Sequence, residues 1–257
     1  MLGSIIGDIV GSIYEGRGFK SKFFNFIEPY CTFTDDTVCT IAIADSILHK
    51  SDFISSLKKW CRDYPDAGYG QAFYNWVMSD SLEPYNSWGN GAAMRVSPIG
   101  FAFNTLEEVL LWAKKSAEVT HNHPEGIKGA QATAAAVFWA RTGYSKSEIK
   151  REIENNFGYD LSRSLDQIRP NYKFEISSQK TVPEAIIAFL ESNDFEDAIR
   201  NAISIGGDAD TLACIAGGIA QAFYKQMPSD IICLVKEIIP SEFNDIVNEF
   251  NSEFNIQ

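Results

Sequence analysis

The spacing of apolar and polar positions predicts helices along nearly the whole chain. Residues 2–15 carry Ile5, Ile6, Ile9, Val10 and Ile13 between Gly3, Gly7 and Gly11, and on a helix those glycines form a stripe along one face. Such a stripe lets a second backbone approach closely. Asp8 and Glu15 share a face about two turns apart. Asp8 reads as a satisfied buried hydrogen-bonding group, whereas Glu15 stands beside Gly16 and Gly18 at a flexible segment and is free to move. Further helices are predicted at about 34–49, 52–64, 71–79, 106–119 and 129–140. A more polar pair follows at 145–157 and 159–169, then buried helices at 182–190, 194–205 and 212–224 and closing ones at 231–238 and 241–250. Residues 171–177 alternate weakly and read as extended, with a solvated charged face. No set of strands supports a sheet core, so the expectation is an all-α, single-domain helical bundle over residues 1–257.

Two acidic stretches stand out against this pattern. Gly206-Gly207-Asp208-Ala209-Asp210-Thr211 precedes an almost wholly apolar helix, which must be buried on most faces. Its acidic start therefore points into an interior junction, where Asp208 and Asp210 either cap the helix or hold a cation. Thr34-Asp35-Asp36-Thr37 opens a helix of the same kind. Capping accounts for one aspartate, but two in succession before a buried segment are costly unless a cation neutralises them. The stretch Gly89-Asn90-Gly91-Ala92-Ala93-Met94-Arg95 fits either a tight turn into a helix or a loop that brings a phosphate close to backbone amides. His121 and His123 have metal-ligand spacing, yet no cysteine or third histidine nearby supports zinc, so contacts to a ligand or to loop backbone are expected.

Composition narrows the function classes. In 257 residues, 45% are hydrophobic and 13% aromatic, enough for a sizeable core. The formal charge of −12 disfavours non-specific binding to nucleic acid or anionic membrane, so an anionic substrate needs a local positive site such as a metal. No apolar run reaches membrane-spanning length. The first residues lack a basic n-region, and Asp8 interrupts their apolar run. Five cysteines, odd in number and without C-x-x-C spacing, point to buried free thiols and a reducing cytoplasm.

Taken together, Gly-Asp-Ile-Val-Gly-Ser-Ile-Tyr-Glu at 7–15, Thr-Asp-Asp-Thr at 34–37, the 89–95 stretch, Thr-His-Asn-His-Pro-Glu-Gly at 120–126 and Gly-Gly-Asp-Ala-Asp-Thr at 206–211 resemble the ADP-ribosylglycohydrolase family, in the family's order and across nearly the whole chain. The resemblance implies an all-helical fold with two divalent cations, Mg2+ or Mn2+, in a cleft. It implies that Thr34, Asp35, Asp36, Asp208, Asp210 and Thr211 hold the ions, with Asp210 bridging, and that Glu15, Asp36 and Asp66 serve catalysis. Gly89, Asn90, Gly91, Ala92 and His121 would face the diphosphate, with adenine on Tyr69, Tyr85 or Trp88. The expected activity is hydrolysis of the glycosidic bond between ADP-ribose and a protein or small-molecule acceptor, by a monomer that binds neither membrane nor nucleic acid non-specifically. A non-catalytic ADP-ribose binder and a metal-dependent nucleotide phosphohydrolase are the alternatives.

Overall fold

Fifteen α-helices and one short 3-10 turn form the regular structure of residues 1–256, the residues that the computed structural model describes. Gln257, the last residue of the expected domain, lies outside them. In order the helices are α1 (Leu2–Gly11), α2 (Asp35–His49), α3 (Phe53–Asp63), α4 (Gln71–Met78), α5 (Gly91–Met94), α6 (Ser97–Ala102), α7 (Leu106–Glu118) and α8 (Pro124–Arg141). Then follow α9 (Lys146–Phe157), α10 (Leu165–Ile168), α11 (Ser178–Leu190), α12 (Phe195–Ile203), α13 (Ala209–Tyr224), α14 (Ser229–Ile238) and α15 (Ser241–Glu253). No helix of the described residues is long and apolar enough to cross a membrane.

The glycine stripe of α1 lies against α13. A Cβ added to Gly3 would sit 2.4 Å from the Gly217 carbonyl oxygen, one on Gly7 2.0 Å from that of Ala213, and one on Gly11 2.5 Å from Asp210 Cα. The two backbones therefore touch along three turns. Between the glycines, Ile5, Ile6, Ile9 and Val10 are fully buried in the continuous core, each contributing about 1.5–3 kcal/mol. That burial outweighs the roughly 1 kcal/mol each glycine costs a helix relative to alanine. The C-terminal end of α1 is thus held beside the N-terminal end of α13, and α2 crosses nearby.

The turn into α13 uses the second available glycine property. Gly206 and Gly207 adopt left-handed φ of 76° and 82°, and a Cβ on Gly207 would meet the Lys173 carbonyl oxygen at 2.7 Å. Only glycine takes two such residues in succession without strain.

Several features depart from the sequence-based expectation: the helix expected at 159–169 is confined to α10, and α8 starts at Pro124, before the expected Gly129. Helix α6 begins with Pro98 in its first turn, a position that tolerates the missing N–H, and the apolar pattern there is too short to reveal it. Helix α11 starts at Ser178, four residues early, with Pro183 inside it. Its start is tied by Ser178 N–H to the Trp88 carbonyl and Ser178 Oγ to that of Gly89. Residues 171–177 form no strand beyond one isolated bridge, Gly89 to Ser177.

Replacing Gly7 by alanine should lower stability by about 2 kcal/mol or more, since the new methyl has only backbone to displace. Gly70→Ala, with open space around the new Cβ, is the control and should change stability little. Urea unfolding of both variants checks this.

Candidate functional site

The packing of α1, α2 and α13 brings three acidic segments to one point. Asp8, fully buried near the end of α1, accepts hydrogen bonds from Thr34 N–H at 2.9 Å, Thr34 Oγ1 at 2.6 Å, Thr37 N–H at 3.1 Å and Thr37 Oγ1. Thr34 Oγ1 caps α2 by accepting from Asp36 N–H at 3.3 Å, and Asp8 satisfies the Thr37 N–H of the same first turn. This leaves the α2 aspartates free of capping. Asp36 is buried, its Oδ2 accepts from Thr211 Oγ1 at 3.2 Å, and its Oδ1 has no partner. Asp35 is half-buried beside it. Asp208 occupies the N-cap position of α13, yet its side chain caps nothing. Its Oδ2 instead accepts from Asn90 Nδ2 at 2.8 Å. Of the two sequence readings, cap or cation, the cap fails for Asp208.

Carboxylate oxygens of Asp8, Asp36 and Asp210 all lie within 4.8 Å of one another, and so do those of Glu15, Asp208 and Asp210. The two triads share Asp210. Glu15 is exposed, and its loop is pinned by Gly16 N–H to the Gly207 carbonyl at 2.8 Å. Burial, then repulsion from neighbouring carboxylates, pushes Asp35, Asp36 and Asp210 well above the usual range. Burial also raises Asp8, against the opposing effect of its four hydrogen bonds, and raises Glu15 together with the charges of Asp208 and Asp8. The charges acting most strongly on these groups are one another's. An oxygen-only donor set, a buried oxygen without a partner and crowded like charges fit a hard divalent cation.

Every member of the two triads except the fully buried Asp8 lines a cleft of about 480 Å³. Thr34, Asp35 and Thr211 line it as well, and Gly89, Asn90, Gly91 and His121 form another part of its wall. Asn90 faces inward with its side chain, which holds both Asp208 and Thr181 Oγ1. Its contribution is thus made through an aspartate. Asp66 is exposed on the turn before α4 and Ala92 is buried in α5, and neither lines the cleft. Of the three aromatic candidates, Tyr85 lines it, and Tyr69 and Trp88 do not.

The histidines separate: His121 faces the cleft, while His123 Nδ1 caps α8 by accepting from Glu125 N–H at 3.1 Å. Some residues have a place here that the sequence pattern does not reveal. Asp8 was read as a hydrogen-bonding group only, which it is, but it also belongs to a triad. Phe174 and Ile176, on the stretch read as a solvated face, stand 54% and 48% exposed at the cleft rim. Their spacing of two within 171–177 was the available signal. Arg95, almost fully buried, also lines the cleft; the 89–95 stretch stands out in the sequence as a loop or turn, which gives the arginine itself no role.

The ADP-ribosylglycohydrolase family model matches residues 1–255. The chain belongs to that family. It is 29% identical to ADP-ribosylhydrolase ARH3 of Gallus gallus, over 89% of this chain and 85% of that protein. It is 27% identical to ADP-ribosylarginine hydrolase Tri1 of Pseudomonas putida, over 87% of this chain and 69% of that one. A solved structure, an ADP-ribosylglycohydrolase-related protein complex, superposes with a TM-score of 0.74 over 97% of this chain and 94% of the other; at 23% identity this likeness establishes the fold. The family and these relatives indicate ADP-ribosyl hydrolase activity, and the acidic clusters of this ADP-ribosylglycohydrolase fold could hold metal ions.

The raised carboxyls of this ADP-ribosylglycohydrolase site predict a pH dependence of stability. Asp8, Asp35, Asp36 and Asp210 bind protons more readily folded than unfolded. Their contribution is therefore greatest below the ordinary value near 3.8 and is lost as pH rises through the folded values. In chelator, the melting temperature should fall as pH rises above the ordinary carboxylate range, and Asp36→Asn should make that fall shallower. Added magnesium or manganese should flatten it too. Equal slopes for wild type and Asp36→Asn in chelator would contradict the reading.

Proposed function

We propose that this chain is a divalent-cation-dependent hydrolase that cleaves the N- or O-glycosidic bond between ADP-ribose and an acceptor, releasing ADP-ribose. The observation that carries this reading is the polarity of the cleft. Two acidic triads meet at Asp210 at one end, and a buried arginine and a histidine line it elsewhere. ADP-ribose has matching chemistry: adjacent ribose hydroxyls suited to a cation site, and a diphosphate suited to donors. The cleft volume is in the range of small-molecule sites.

In this reading Asp8, Asp36 and Asp210 hold one ion and Glu15, Asp208 and Asp210 the other, with Thr34, Asp35 and Thr211 completing the sets. When bound, magnesium or manganese supplies Lewis-acid polarisation and a clamp on adjacent oxygens. Asp36, whose Oδ1 has no protein partner, accepts a hydrogen from the attacking water and aims its oxygen at the anomeric carbon. The bond from that carbon to the acceptor breaks, the water oxygen takes its place, and the water's proton passes to the leaving acceptor. The surrounding carboxylates stabilise the positive charge that develops on the ribose. Glu15, on its loop, closes over the bound ribose, while Gly89, Gly91 and His121 face the diphosphate. Asp66 does not itself line the cleft, and it is assigned no role in this reading. The proposal includes a cytoplasmic setting, which the four buried free thiols favour. It also includes a monomeric state, since one chain carries the whole site.

A panel of ADP-ribosyl conjugates on arginine, serine and small molecules, assayed with magnesium, manganese and chelator, tests the reading. Free ADP-ribose should appear only with a cation. Asp210→Ala, which removes the residue shared by both triads, should lower turnover by at least about 100-fold. Release of inorganic phosphate, binding without turnover, or full activity in chelator would each overturn it.

A further inference from the structure

Arg95 is 1% exposed and has no carboxylate among its hydrogen-bond partners. Its Nη2 donates to the Ser116 carbonyl at 2.8 Å and to Thr120 Oγ1 at 2.9 Å, and the Phe73 ring lies 5.9 Å from its Cζ. Ser116 is in the last turn of α7, so the negative end of that helix stands where an acid would be expected. Thr120 is fully buried, and its Oγ1 is 2.8 Å from His121 Nδ1. The histidine is 4% exposed, its backbone N–H bonded to the Ala117 carbonyl at 2.7 Å. Its Nε2 is directed at the 89–91 loop: a Cβ on Gly91 would lie 3.0 Å from that nitrogen.

The direction of each hydrogen bond follows from the inventory of donors. A guanidinium only donates, so Thr120 Oγ1 accepts from Arg95. The threonine hydroxyl has one hydrogen. If it points to His121 Nδ1, the Thr120 hydroxyl and Nδ1 are both satisfied and the ring hydrogen lies on Nε2; Arg95 Nε has no partner in either arrangement. If Nδ1 carried the hydrogen instead, the hydroxyl hydrogen would have no acceptor among the described residues, at a cost of about 1–3 kcal/mol in a buried site. The doubly protonated ring is disfavoured as well, because burial and the charge of Arg95 push His121 well below its ordinary value.

We propose that Arg95 and Thr120 are positioning residues that lock His121 as the neutral Nε2–H tautomer, so that the cleft presents a fixed N–H donor to an anionic ligand oxygen beside Gly89 and Gly91. The ligand half of this inference rests on the proposed function, which brings a diphosphate to that wall; the tautomer does not. The opposite tautomer would turn a lone pair toward the phosphate oxygen and repel it. Selectivity for an anionic group therefore arises one and two residues behind the surface that touches it.

The chain has only three histidines, so their ring nitrogens can be followed individually by long-range 1H–15N spectra of the 15N-labelled protein, with His121→Gln assigning the resonances. The wild type should show protonated Nε2 and unprotonated Nδ1 at His121. Thr120→Val, nearly equal in shape, should lose that pattern and weaken ADP-ribose binding about tenfold by calorimetry in magnesium, and Thr120→Ser should restore both. A hydrogen on Nδ1 in the wild type would overturn the proposal even if Thr120→Val fails to fold. So would a Thr120→Val ring spectrum and affinity equal to wild type. Wild-type protein that binds no ADP-ribose would overturn the proposed function, and the ring spectrum would still decide the tautomer.

Discussion

The contact on which the rest of this structure depends is backbone against backbone, between α1 and α13. With no side chain at Gly3, Gly7 and Gly11, the first helix rests directly on the carbonyls of the helix that follows the second acidic cluster. The consequence is positional. Asp8 and Asp210 come from opposite ends of the sequence, and only this close approach brings their oxygens within ligating distance of each other and of Asp36. The buried isoleucines between the glycines hold the pair together, and the site inherits its rigidity from them.

Much of this was legible in the residues. A glycine every fourth position announces a close helix crossing, and acidic pairs before apolar helices announce a buried charge problem that needs a cation. Which helix would fill the stripe was not legible, because sequence spacing says nothing about a partner 200 positions away. Asp8 was readable as a hydrogen-bonded group, yet its second relation, to Asp36 and Asp210, exists only after α1, α2 and α13 pack. Phe174 and Ile176 were hidden by the polar residues around them. Their place at the cleft follows from the bridge between Gly89 and Ser177, a contact across 88 positions. Asp66, chosen by resemblance, is exposed on a turn whose next residues, Ala67 and Gly68, line the cleft while Asp66 itself does not.

Under the proposed function, the cleft also accounts for how a chain of net charge −12 would address an anionic ligand. Its acidic end would repel anions unless cations occupied it. Its other wall has no exposed lysine; the positive charge there is Arg95, buried and balanced by the end of α7 rather than by an acid. A charge held this way acts on the cleft without being screened as a surface charge is. Asn90 works in the same indirect manner at the acidic end, where it orients Asp208. Both ends of the site thus depend on residues one step removed from the ligand, and those residues are set by the same helix packing that positions the acids.

The central claim is that the two triads sharing Asp210 hold two ions close together. Electron paramagnetic resonance of the protein titrated with manganese tests it most directly. The account predicts two ions per chain and a spin-coupled spectrum, as expected for ions about 3.5–4 Å apart. A single ion per chain, or two whose spectrum is that of isolated manganese, would contradict it.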